Sequence, residues 1–145
     1  MIRIPPDVQI KASIKAGSVY YFAEEALKSR EPHYFIVINR DPLTDTVLLL
    51  VCASSQIQKV NKRRRGCPPE TLVQVSTSQY SGFTRTSVID CNVVFERSTN
   101  QLVEKLKNAN LRIKAEMSIS LVEQLRDGVL KSHQVAQRTK ITLRG

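Results

Sequence analysis

The sequence has no tryptophan, two histidines, three cysteines and five glycines in 145 residues. Each scarcity excludes a class. A disulfide-framed secreted domain needs a dense, even set of cysteines. Cys52, Cys67 and Cys91 are odd in number and widely spaced, with no CxxC pair. They therefore read as unpaired thiols in a reducing, cytoplasmic setting, with Cys52 and Cys91 as small buried hydrophobes. No Gly-rich phosphate loop, HExxH, GxSxG or DxD pair is present, and His33 and His133 stand far apart, so neither a metal nor a cofactor is expected. The longest apolar run, Val47 to Ala53, is far short of the roughly 18 residues that span a bilayer. The opening stretch MIRIPPDVQIKASIKAG carries no continuous apolar segment and does not read as a secretory signal.

Positive charge, by contrast, is abundant. Lys and Arg number 22 against 13 Asp and Glu, a net charge of +9, and hydrophobic residues make up 41%. That composition and length describe one globular domain rather than a disordered chain. The surplus is uneven. The first sixty residues are nearly neutral, whereas Lys59, Lys62, Arg63, Arg64 and Arg65 are packed into seven positions. Gly66, Cys67, Pro68 and Pro69 follow, so the run reads as a basic surface loop. A nucleic-acid backbone would supply its counter-charge through salt-sensitive phosphate contacts. An acidic protein segment is another partner, and a solvated loop with no partner is the plain alternative.

The pattern along the chain divides it into an irregular lead-in over 1–16, a domain over 17–135 and a basic tail over 136–145. Strands are expected at Gly17–Phe22, His33–Ile38, Thr46–Cys52, Thr71–Val75 and Val88–Phe95, from β-branched and aromatic composition. The unbroken apolar third run implies burial on both faces, or one face packed under a helix. Residues 76–87 form a hydroxyl-rich loop containing Tyr80, Phe83 and Arg85. Ser98 and Gln101 make a capping box for a short helix. Ser120 and Glu123 mark a longer one over Met117–Ser132. The whole reads as α+β, a strongly bent antiparallel sheet forming a small barrel under a C-terminal helix.

RNA cleavage by its own 2′-hydroxyl suits a chain without metal-ligand clusters. It needs a base, an acid, and groups that stabilise the phosphorane-like transition state. In an antiparallel hairpin the start of one strand lies beside the end of the next. His33 and the pair Ser54–Ser55 should therefore converge, with Arg30 near the same end. Tyr80 and Phe83 beside Arg85 have the composition of a base-stacking surface, or else plug the core.

The order Gly17-Ser18-Val19-Tyr20-Tyr21-Phe22, Pro32 before His33-Tyr34-Phe35-Ile36-Val37-Ile38-Asn39, and Leu48-Leu49-Leu50-Val51-Cys52-Ala53-Ser54-Ser55 resembles the PemK/MazF-like toxins of bacterial toxin–antitoxin pairs. Thr86-Ser87-Val88-Ile89-Asp90 and the closing helix extend the resemblance over residues 15–135. It implies a small barrel, a homodimer, cleavage of single-stranded RNA without metal, and inhibition by an acidic antitoxin. Residue by residue, the family's hydroxyl after the third strand falls on Ser54 or Ser55. The family's arginine before the second-strand proline falls on Glu31. Either Arg30 or His33 substitutes, or the chain binds nucleic acid or an acidic protein without cleaving. The same fold also hosts gyrase-directed toxins, and fold alone does not choose among these activities.

Overall fold

The computed structural model describes residues 3–145. Its centre is a six-stranded antiparallel sheet in the order β4-β5-β3-β2-β1-β6, formed by β1 (Val19–Phe22), β2 (His33–Val37), β3 (Leu48–Ser54), β4 (Leu72–Val75), β5 (Ser87–Arg97) and β6 (Leu111–Lys114). The α+β class is as expected. The sheet is not closed: among the described residues β4 and β6 each pair on one side only, so the strand pairing is that of an open sheet.

The uninterrupted apolar run of β3 has its explanation in two cores, one on each face of the sheet. Leu49, Val51 and Ala53 pack with Ile36, Ile89 and Cys91 under α4 (Ile119–Lys131). Leu48 and Leu50 pack with Phe22, Phe35 and Val37 on the other face. There Ile10 of α1 (Pro6–Ser13) and Leu102 of α3 (Thr99–Lys107) close the layer. β5 changes face midway. Leu50 pairs with Phe95 but Cys52 with Asp90, so two steps on β3 correspond to five on β5. This bulge puts Phe95 in the second core while Ile89 and Cys91 stay in the first.

Four expectations need correction. The lead-in over 1–16 is irregular only at residues 3–5 and 14–16 of those described, with a helix between them: Pro6 takes a first-turn helical position, where its missing N–H costs nothing, and Asp7 sits in the positive first turn. Its first two residues, Met1 and Ile2, lie outside the described residues. The segment 136–145 is not a bare tail, because α5 (Gln137–Arg144) buries Leu143 completely. The longer helix is capped by Ser118, whose hydroxyl accepts from the Leu121 N–H, and not by Ser120. Met117 N–H bonds the Gly17 carbonyl, which keeps the chain extended up to the cap. The basic stretch is mostly helical, as α2 (Ile57–Arg63), and not a loop. The helix finishes well before Pro68, so the prolines do not oppose it. No helix among the described residues is long and apolar enough to cross a membrane.

Candidate nucleic-acid interface

The β2–β3 register pairs Tyr34 with Ala53, and one step further sets His33 opposite Ser54. Phe22 pairs with His33 on one side and Val88 with Ser54 on the other, giving a row across four strands. Directly opposed residues in an antiparallel pair have Cβ atoms about 4.5–5.5 Å apart and point to the same face. The structure thus brings together the two groups that hairpin geometry suggested. His33 Nδ1 lies 2.9 Å from the Glu31 carbonyl. A carbonyl can only accept, so Nδ1 is the donor of this bond, and Nε2 is the ring nitrogen that it leaves unengaged. The Ser54 hydroxyl accepts from the Gln56 N–H at 3.2 Å, and Ser55 is exposed. Arg30 is exposed on the preceding loop with no ion pair among the described residues.

Helix α2 follows Ser55 after one residue. Val60 is its buried anchor. At its C-terminal end Arg64 Nε reaches Asp90 Oδ2 at 2.8 Å. Asp90 stands opposite Cys52, two residues along the sheet from the His33–Ser54 row, or roughly 7 Å. Pinned this way, α2 exposes Lys59, Lys62 and Arg63, with Arg65 just beyond. None of these four forms an ion pair among the described residues. Arg64 does not belong with them as a free phosphate contact, because its charge is already matched by Asp90.

The aromatic part of the expected surface is also corrected. Tyr80 and Phe83 are buried, 4% and 3% exposed, and plug the core under α4. Their rings meet edge to face at 4.7 Å, and Phe83 contacts Tyr34 at 5.0 Å. The Tyr80 hydroxyl donates to the Ala115 carbonyl, and burial, aided by the neighbouring Tyr34, pushes its pKa up to about 12. Neither ring can stack on a base. Arg85 stays exposed on the same loop.

Sequence reasoning passed over the polar knot that holds α2. Asn92 donates through Nδ2 to the Thr71 hydroxyl at 2.9 Å and to Asp90 Oδ1 at 3.0 Å. The Ser132 hydroxyl donates to Asn92 Oδ1 at 2.8 Å. Arg64 Nη1 reaches Gln134 Oε1 at 3.0 Å, and the Gln134 N–H returns to the Ser132 hydroxyl at 3.1 Å. Its signal was Asp90 and Asn92 inside an otherwise apolar strand. Polar groups survive at such positions when their partners are all present, and no buried side-chain N or O among the described residues lacks one. No three His, Cys, Asp or Glu side chains gather into a possible metal site among the described residues.

Chemically, the surface offers an imidazole oriented through Nδ1, a hydroxyl opposite it and a cationic helix alongside. Neither the models of known families nor the curated proteins include a match to this chain.

Proposed function

We propose that this chain is a toxin-like endoribonuclease of PemK/MazF type that cleaves single-stranded RNA without a metal, is restrained by an acidic antitoxin and works as a homodimer. The observation that carries the proposal is the exposed cationic face of α2, with Lys59, Lys62, Arg63 and Arg65, set beside the His33–Ser54 row. In this reading the open sheet belongs to the bent PemK/MazF-like fold. Lys59 and its neighbours hold the RNA backbone. His33 Nε2 takes the proton of a ribose 2′-hydroxyl, whose oxygen attacks the adjacent phosphorus. The P–O5′ bond breaks, the 5′ oxygen takes up a proton from water, the proton on His33 is released to solvent, and a cyclic phosphate and a 5′-hydroxyl result. Ser54, Ser55 and Arg30 donate to the non-bridging oxygens, where charge accumulates.

The test is incubation with single-stranded RNA in EDTA. Wild type should cleave, and His33→Ala should slow cleavage about 10²–10⁴-fold, the range expected for a lost general base, with RNA affinity kept. Absence of cleavage by wild type, or unimpaired cleavage by His33→Ala, refutes the catalytic reading. Glu31 favours a second reading, a binding module without catalysis. It is exposed two residues from His33, where it places a negative charge close to any phosphate, and it stands where the resembling family has arginine. Salt-sensitive RNA binding with no cleavage is that reading's outcome.

A further inference from the structure

One row of the sheet runs across β6, β1, β2 and β3 as Arg112, Tyr21, Tyr34 and Ala53, each directly opposite the next. Opposed residues share a face. Ala53 belongs to the core under α4, so the row lies on that side of the sheet. Phe22, His33 and Ser54, one residue nearer the strand ends, lie on the other side. Val19 and Ile36, two residues away on the same strands and face, are fully buried in the core with α4. Tyr21 and Tyr34 stand at the margin of that core and are half-buried, with their ring centres 4.6 Å apart. Neither hydroxyl bonds another described residue, and no buried side-chain oxygen among these residues lacks a partner. Both hydroxyls therefore reach solvent.

Cations flank the two rings. Arg112 is exposed directly opposite Tyr21, and Lys114 Nζ stands 5.5 Å from the centre of the Tyr21 ring. Phe83 meets the Tyr34 ring edge to face at 5.0 Å, and the exposed Arg85 follows it by two residues, at most about 7 Å of chain. None of the three cations forms an ion pair among the described residues. Glu116, two residues past Lys114, is held by Lys15 at 2.7 Å.

We propose that Tyr21 and Tyr34 form the base-binding surface for single-stranded RNA, with Arg112, Lys114 and Arg85 on its phosphates. The inference rests on the RNA-directed reading of the chain and adds where bases, rather than backbone, are held. Half-exposed rings between uncompensated cations fit a single strand, whose bases stack on aromatic rings while its phosphates meet cations. An acidic peptide would satisfy the cations but offers no flat group to the rings. A surface cation–π contact is weaker than a base stacked on a ring, so Lys114 yields the Tyr21 ring to a base and turns to a phosphate. His33 and Tyr34 are consecutive residues on opposite faces. The strand therefore reaches the tyrosines over the end of the β2–β3 hairpin, past the exposed Pro32 and Ser55.

The experiment uses the cleavage-weakened His33→Ala protein and two oligomers of about twelve nucleotides, oligouridylate and its abasic ribose-phosphate counterpart. The two carry the same phosphates and differ only in their bases. Tyr21→Leu/Tyr34→Leu should weaken oligouridylate by about 5- to 100-fold per ring, the range for a lost base–aromatic stack, and leave the abasic strand unchanged. Tyr21→Phe/Tyr34→Phe keeps the rings and should restore the affinity. Arg112→Gln/Lys114→Gln should lower the salt slope for both oligomers by up to about 1.4, at about 0.7 per phosphate contact. The chain has no tryptophan, and Tyr20 and Tyr80 are buried, so oligouridylate should quench the tyrosine emission of the parent and the abasic strand should not. Thermal midpoints close to that of the parent establish that the variants fold. Absence of quenching, or equal oligouridylate binding by the parent and a folded Leu variant, overturns the base surface. If charge removal on α2 still weakens RNA, the α2 reading stands; RNA binding insensitive to α2 as well overturns both. A Leu variant that loses an acidic peptide while keeping oligouridylate marks a protein contact and also refutes the proposal.

Discussion

At the scale of single residues, placement in the fold decides chemical character. Burial, reinforced by nearby Asp90 and Glu24, pushes the Cys52 thiol up to about 12. Burial likewise pushes Cys91 far up. Thiolate is the reactive form, so both are inert near neutrality. Labelling the native protein with a thiol reagent at pH 8 should consume one equivalent, at Cys67, and three after unfolding; two or three at native rates would contradict the burial. Gly128 shows a constraint of space. A Cβ there would stand 2.7 Å from the Glu70 carbonyl oxygen and 2.9 Å from Cys91 Sγ. Gly128→Ala should cost about 1–3 kcal/mol through overpacking, against a helix-propensity gain of about 1 kcal/mol, so urea unfolding should show a net loss. Buried Cys91 was legible from its apolar neighbours. The need for glycine at 128 was not, because the atoms that crowd it come from a strand and a turn far away in sequence.

Among the elements, α3 was the most legible. Ser98 and Gln101 form the complete capping box that their spacing implies, a local arrangement that needs no other part of the chain. α2 was the least legible. It is seven residues long, too short to be stable alone, and it persists because Val60 is buried and Arg64 is tied to Asp90. Asp90→Asn should therefore destabilise the protein by about 1–3 kcal/mol, in the range for breaking a partly buried charged hydrogen bond. It should also weaken RNA binding, although Asp90 is itself an acid; tighter binding would show that simple charge governs the surface. Removing Lys59, Lys62, Arg63 and Arg65 together should lower the salt slope for single-stranded RNA by up to about 2.8 at about 0.7 per contact, and an unchanged slope would dismiss α2 as a nucleic-acid surface. β6 escaped notice because four residues between two helices carry almost no periodic signal. Its backbone is satisfied by β1, a partner some ninety residues earlier.

Across the whole molecule, the loop preceding the candidate site is tied to the far end of β5. Glu24 accepts from Arg97 Nε at 2.8 Å and approaches its Nη2 at 2.7 Å. Burial alone would raise the Glu24 pKa; hydrogen bonds from Arg97 and the Ala26 N–H, with the charges of Arg97 and Lys105, outweigh it and leave the pKa lowered. A carboxylate whose folded pKa is depressed contributes stability above its unfolded value, near 4.5, and loses it as pH falls through the folded one. Unfolding free energy should drop on acidification below that point, and Glu24→Gln should be less stable at neutral pH but flatter in acid; parallel pH profiles would refute the linkage. The residue order by itself determined the excess of positive charge and its uneven distribution, the five main strands and the two longest helices, because composition, period and capping are local properties. Only the tertiary structure decided that Tyr80 and Phe83 face inward, that β3 is buried on both faces, and that the end of α2 is bonded to the connection after α4, seventy residues later. Those outcomes depend on strand register and on the β5 bulge, which are set by contacts between segments distant in sequence.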